Sequence, residues 1–210
     1  MTSDGAVLPA PRHFLKAQTR LSRLQRRLSR RENGSRGREK ARRALARQHE
    51  KVSNQRSDFL HKTSRMLVDR YGLIGIEGLH VKGMVKNRKL ARAIADAGWG
   101  ELRRQLTYKG QWYGTRVVVI DRFFPSSRTC SACGYRLPEL ALSVRTWTCP
   151  QCSRQHDRDH NAAVNIQHEA QTRAGTARSR TSQSEVTAGG EGVSPAARLA
   201  VLVEPGSRLL

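Results

Sequence analysis

Four cysteines carry the most specific chemistry in this sequence. Cys130-Ser131-Ala132-Cys133 and Cys149-Pro150-Gln151-Cys152 form two Cys-x-x-Cys pairs with 15 residues between them. Each pair has the spacing of a metal knuckle, and four thiolates complete the closed tetrahedral shell of a structural Zn2+. Gly134, directly after the first pair, supplies the backbone freedom that a knuckle turn needs. The rival chemistries fit less well. Two disulfides would not stay oxidised in a cytosolic chain, and a redox pair belongs at a helix start in a thioredoxin-like unit, which the sequence lacks. Four sulfur ligands leave no open position for water, so zinc is expected to be structural and to hold residues 126–156 folded. His156 lies near Cys152, but four cysteines already suffice and it is given no role.

Three acids also stand where chemistry could happen. Glu77 directly follows the apolar run Leu73-Ile74-Gly75-Ile76, Asp159 opens the last helical stretch, and Asp157 lies two residues before it. Clustered carboxylates suit the hard cations Mg2+ or Mn2+, which can activate water and stabilise a leaving oxygen. By spacing alone, an acid after a strand is more often a turn or cap residue, and Asp159 fits an ordinary N-cap, so the residues themselves do not establish catalysis. Ser126 and Ser127 have no His and Asp arrangement beside them, which argues against a serine nucleophile.

The elements that must position these groups follow from periodicity. Residues 1–11 have no pattern and read as a loose lead-in. Residues 12–70 read as a long antiparallel hairpin. Its first helix places Phe14, Ala17, Leu21, Leu24 and Leu28 on one face, and its second places Leu45, Val52, Phe59 and Met66 on a seven-residue repeat. The turn ENGSRG joins them, with Ser35 as N-cap. Residues 71–125 read as strand, helix, strand. The helix over residues 89–106 sets Leu90, Ile94, Leu102 and Leu106 on one side and breaks near Gly98-Trp99-Gly100. The β-branched run Val117-Val118-Val119-Ile120 suits a strand buried on both faces. Residues 157–170 carry the last acids and a helix with Ala162, Ala163, Ile166 and Val164 inward. Residues 171–210 read as a disordered tail, with 199–203 too short an apolar run to alter that. Trp99, Trp112, Tyr113 and Trp147 are expected mostly in the core rather than stacked on bases.

The chain has 210 residues, 37% hydrophobic and 27% charged, with 39 Lys and Arg against 17 Asp and Glu, a net charge of +22. Residues 12–65 hold 18 of the basic residues and 4 acids, a net +14. Such density points to a polyanionic partner, because each cation that meets a phosphate releases condensed counterions. No run approaches the roughly 18 apolar residues of a spanning helix. The expectation is a cytoplasmic, nucleoid-associated protein without a membrane partner.

The motifs IGIEGLHVKGM, YKGQWYG, FFPSSRTCSACGY, WTCPQC and HDRDHNAAVNIQ resemble, in order, those of the TnpB (OrfB) family, transposon-encoded RNA-guided nucleases related to type V CRISPR effectors. The arginine-rich segment LSRLQRRLSRR resembles the hairpin of that family. The resemblance implies an α/β, ribonuclease H-like (RuvC) fold, incomplete here, with an inserted four-cysteine zinc ribbon. It implies Glu77 as the second catalytic acid and Asp159 as the third, with Asp157 auxiliary, and DNA and a guide RNA as partners. Family members carry their first catalytic Asp in a Gly-x-Asp-x-Gly strand ahead of the hairpin. Here the leading segment is MTSDGAVLPA, whose acid, Asp4, lacks such a strand. The strands at residues 73–77 and 116–121 are therefore expected to have unpaired edges. Three functions follow: a nucleic-acid binding protein with an incomplete nuclease site, an active metal-dependent endonuclease when an N-terminal fragment is supplied, or a nonfunctional remnant.

Overall fold

A computed structural model of the chain describes residues 2–8, 11–88, 91–181 and 199–202. The architecture is mixed α/β, with six helices and five strands among the described residues. The chain divides into two compact units, two of the four boundaries falling inside helices. One unit holds Pro9–Ser64 and Val81–Gln105, and the other Met1–Leu8, Arg65–His80 and Leu106–Leu210.

The first unit is built on α1 (His13–Ser29) and α2 (Arg36–Arg70). Ser35 caps α2 as its sequence position predicts, its Oγ accepting from the Arg38 amide at 3.1 Å. Arg38 in turn donates to the carbonyls of Leu28 and Arg31 at the far end of α1, while His13 at the near end meets Phe59 edge to face at 6.4 Å. These two contacts make the pair antiparallel. On α1 the expected seam faces inward, with Leu21 buried and Phe14, Ala17, Leu24 and Leu28 partly so. α1 has no side-chain cap of its own, since Arg12 is left-handed at φ 50. The carboxylate of Asp96, in α4 (Ala91–Ala97), takes its place by accepting from the Phe14 amide at 2.9 Å.

The seven-residue repeat on α2 does not hold throughout. Val52 is buried and Leu45 and Phe59 are partly buried, but Met66 is exposed, and Leu60, Ser64, Leu67 and Val68 are buried instead. A strict repeat of seven drifts about 20° per heptad on a straight helix, so three repeats carry the last position off the inner face. The helix expected over residues 89–106 is α4 followed by α5 (Trp99–Tyr113), broken at Gly98 as anticipated but running seven residues further. Leu90 lies outside the described residues. A short α3 (Val81–Met84) precedes them.

The second unit is a parallel sheet covered by a helix. β1 (Leu73–Glu77) pairs with β2 (Arg116–Ile120), Leu73 opposite Arg116 and Glu77 opposite Ile120. On its other side β1 pairs in parallel with β5 (Leu199–Leu202), so the order is β2-β1-β5. This corrects two expectations. β1 has no unpaired edge, and part of the segment read as a disordered tail is strand. The remainder of that segment up to Thr181 continues the last helix, α6 (Arg158–Thr181). Residues 182–198 and 203–210 lie outside the described set. β2 is partly buried rather than buried on both faces, as befits an edge strand among the described residues.

α6 packs across the sheet through Ala162, Ala163, Ile166 and Ala170, which with Ile120 form a buried cluster; Val164 is only partly buried. Gly75 makes this close approach possible, because a Cβ there would stand 3.0 Å from the Ala170 Cβ and 3.2 Å from Ile166. Between β2 and α6 the chain forms the cysteine segment, with β3 (Thr146–Thr148) antiparallel to β4 (Gln155–Asp157). The lead-in is also more ordered than its composition implies. Thr2 is buried, its amide donating to the Ala6 carbonyl at 2.8 Å and its hydroxyl to the Asp4 carboxylate. Among the described residues no helix is long and apolar enough to cross a membrane.

Candidate metal centre and acid pair

The four cysteines come together from the two knuckles, all four sulfurs within 4.8 Å of one another. Cys130 and Cys152, and likewise Cys133 and Cys149, stand 3.6 Å apart. That is far beyond a disulfide bond, and close to the roughly 3.8 Å tetrahedron edge that a Zn–S distance of about 2.3 Å requires. The local backbone builds the site as the sequence dictates. The Gly134 amide returns to the Cys130 carbonyl at 2.9 Å, with Gly134 at φ +79, and the Ser153 amide returns to Cys149 at 2.9 Å. Cys130, Trp147 and Cys149 are buried beneath Tyr135, Leu137, Leu140 and Val144. A core this small needs a further staple, which an ion held by the four cysteines would provide.

The thiols also respond to their crowding. The Tyr135 amide pulls the Cys133 thiol down, but desolvation and the three neighbouring sulfurs outweigh it and push the group up to about 12. Cys149 moves the other way, to about 7, because the amides of Cys152 and Gln151 and the nearby sulfurs outweigh its desolvation. The four cysteines are thus close enough, and chemically suited, to hold a metal ion such as zinc. His156 is a contact that the sequence reading passed over. It packs on Trp147 at 4.8 Å and its Nε2 lies 3.1 Å from the Cys130 sulfur.

Glu77 ends β1 half-buried. Burial raises its carboxyl above the usual range, and the positive charge of Arg158 opposes that rise. Arg158 opens α6, Ile166 and Ala170 lie over Gly75, and the Ala174 carbonyl accepts from Arg116 at the start of β2. α6 therefore runs against the strand direction, and its amino end, with Asp159 in the first turn, meets the end of β1 that carries Glu77. The two acids implied by the resemblance thus share one end of the sheet. Asp157 caps α6, its Oδ1 accepting from the His160 amide at 2.8 Å. Among the described residues neither Glu77 nor Asp159 belongs to a group of three or more side chains placed to share a metal ion. Asp4 binds residues that precede β1, accepting from Tyr71 at 2.8 Å and Arg70 at 3.2 Å. The Thr2 hydroxyl, foremost, keeps its carboxyl below the usual value, with Tyr71, the Ala6 amide and Arg70 adding to this against a partial desolvation.

Two buried asparagines, also missed, connect the metal centre to the acid pair. Asn161 accepts from the Ser131 amide inside the first knuckle at 3.0 Å and donates to the carbonyl of Thr129 at 2.8 Å. Asn165, one turn on, donates to Ser126 at 2.8 Å and Thr129 at 2.6 Å. Polar residues four apart on an otherwise alanine-lined helix face were the available signal. Of the aromatics, Trp147 is buried as expected and Trp99 partly so, whereas Trp112 and Tyr113 are exposed.

Comparison with known proteins supplies the context. Residues 1–88 match the OrfB_IS605 family model, described as a probable transposase, and residues 99–166 match the Cas12f1-like TNB domain. The chain is 47% identical over 164 residues to a putative RNA-guided DNA endonuclease of Streptomyces pristinaespiralis, an alignment covering 78% of this chain and 40% of that protein. It is 36% identical over 179 residues to the putative RNA-guided DNA endonuclease InsQ of Escherichia coli strain K12, covering 78% of this chain and 44% of the relative. The chain therefore spans less than half the length of these relatives. A cryo-EM structure of a Cas12f1-sgRNA-target DNA complex aligns at 17% identity with a TM-score of 0.49, covering 73% of this chain and 41% of that one.

Proposed function

Because this chain belongs to the TnpB (OrfB) family of transposases and RNA-guided endonucleases, we propose that it binds nucleic acid, DNA and a guide RNA, through its basic hairpin and a zinc-holding ribbon. The observation that carries this reading is the net +14 over residues 12–65, with Arg20, Arg23, Arg26, Arg27, Arg30 and Arg31 of the hairpin exposed along α1 and its turn. Backbone contacts of this kind read shape and charge while base pairing reads sequence. Purified protein should bind a labelled oligonucleotide with an affinity that falls about 1,000-fold or more between 50 and 200 mM salt. Absence of binding at low salt would leave only the remnant reading.

A second reading is favoured by the meeting of Glu77 and Asp159 at one end of the sheet. They form part of a metal-dependent nuclease site on a ribonuclease H-like scaffold. When bound by these two acids, Mg2+ or Mn2+ would supply water activation and charge stabilisation. The protein's part is to hold the groups ready. Glu77 is half-buried with the charge of Arg158 beside it, and Asp159 stands in the first turn of α6. The described residues provide two such carboxylates, so the proposed cutting requires a third from a further strand, of the Gly-x-Asp-x-Gly type. Cleavage of DNA by the chain supplemented with a fragment bearing that strand, abolished by Glu77→Ala, is the expected result; equal cutting by the variant would remove this reading.

A further inference from the structure

Two consecutive phenylalanines follow β2, and they have opposite surroundings. Phe124 packs against the buried cluster of Ile120, Ala162, Ala163, Ile166 and Ala170. Phe123 is 74% exposed, with the Arg122 guanidinium over its ring at 4.4 Å. Its exposed ring offers apolar, polarisable surface to a planar partner.

The loop is fixed rather than loose. Asp121 Oδ1 accepts from the Phe123 amide at 2.7 Å, the Phe124 amide returns to the Asp121 carbonyl at 3.1 Å, and the Ser126 amide returns to Phe124 at 2.8 Å. It also lies beside the acid pair. The Gly78 amide, next to Glu77, donates to the Ile120 carbonyl at 2.8 Å, and a Cβ on Gly78 would come within 3.6 Å of the Arg122 nitrogen. On the other side Phe124 packs against the cluster to which α6, the helix that carries Asp159 in its first turn, contributes Ala162, Ala163, Ile166 and Ala170.

We propose that Arg122 and Phe123 form the rest for a single DNA strand entering the acid pair, Phe123 stacking on an unpaired base and Arg122 meeting the adjoining phosphate. A single strand is the fitting occupant because its base faces are free, whereas a duplex hides them within its own stack. A cation beside an aromatic face matches the alternation of phosphate and base along such a strand. The inference rests on the nucleic-acid reading above and assigns residues outside the basic hairpin to it.

The test compares the full chain with Phe123→Ala, Phe123→Trp and Arg122→Gln in binding to a labelled single-stranded DNA, the matched duplex and the same-sequence RNA. Phe123→Ala should weaken single-strand binding about 5- to 100-fold while leaving the duplex unchanged, and Phe123→Trp should restore it. Arg122→Gln should lower the salt slope for single strands by about 0.7. Because Phe123 is exposed, thermal midpoints should be equal across the set. Unchanged single-strand affinity in Phe123→Ala, equal losses on single strand and duplex, or a loss confined to RNA would each overturn the proposal while the wild type still bound DNA. Wild type that binds no nucleic acid would remove the underlying reading and this one with it.

Discussion

The side-chain oxygen of Asn161, near the start of α6, accepts from the backbone amide of Ser131, the residue after Cys130, at 3.0 Å. The amide of the same side chain reaches the carbonyls of Ser126, Ser127 and Thr129 at 2.8 to 3.4 Å. One buried side chain thereby ties the helix bearing Asp159 to the knuckle bearing Cys130.

Asn161→Ala should lower stability by about 1–3 kcal/mol, because it leaves buried backbone groups without partners. Urea denaturation measures the loss, and faster amide exchange at Ser131 locates it. A variant as stable as wild type, with protected knuckle amides, would mean that the link is dispensable.

Metal analysis should find one Zn2+ per chain. Binding at structural zinc sites contributes about 10–16 kcal/mol, so chelation, or Cys149→Ser, should unfold residues 126–156, with exchange protection lost there first. Through Asn161 and Asn165 the loss should extend to the start of α6. Full protection after complete metal removal would contradict the structural role.

Stability should depend on the ionisation of Glu77. Its carboxyl is raised by burial above 4.5, against the opposing charge of Arg158. Between the unfolded and folded values the native state therefore holds the extra proton, and stability falls as pH rises through that window. Glu77→Gln should raise the thermal midpoint at neutral pH, and the gain should vanish as pH falls below 4.5. A midpoint lowered by the substitution at neutral pH would show that the carboxylate is stabilised rather than strained.

Removing residues 199–210 takes away β5, one of the two parallel partners of β1. Each lost backbone hydrogen bond costs about 0.5–1.5 kcal/mol, and the bared edge becomes a template for another strand. Concentration-dependent association in sedimentation experiments is the expected result. A deletion variant that stays monomeric and equally stable would show that β5 contributes little.

Local features of the protein were legible before any coordinates. The cysteine pairs, Gly134, the Ser35 cap, the inward face of α1 and the break at Gly98 depend on residues a few positions apart, whose backbone geometry and helical phase are set by their own types. The family motifs likewise brought Glu77 and Asp159 forward, although their spacing alone did not distinguish catalytic acids from caps. What the tertiary structure decided was long-range. Leu73 pairs with Leu199 across most of the chain, a contact that no window of sequence encodes. It left Met66 outside, because small differences in helical phase accumulate over three heptads. It made Asp157 the cap and partly covered Phe124 rather than Phe123, since which of two like neighbours is covered depends on the surface that folds against them. Side-chain type fixes what a residue can do, but burial and partners are properties of the assembled chain.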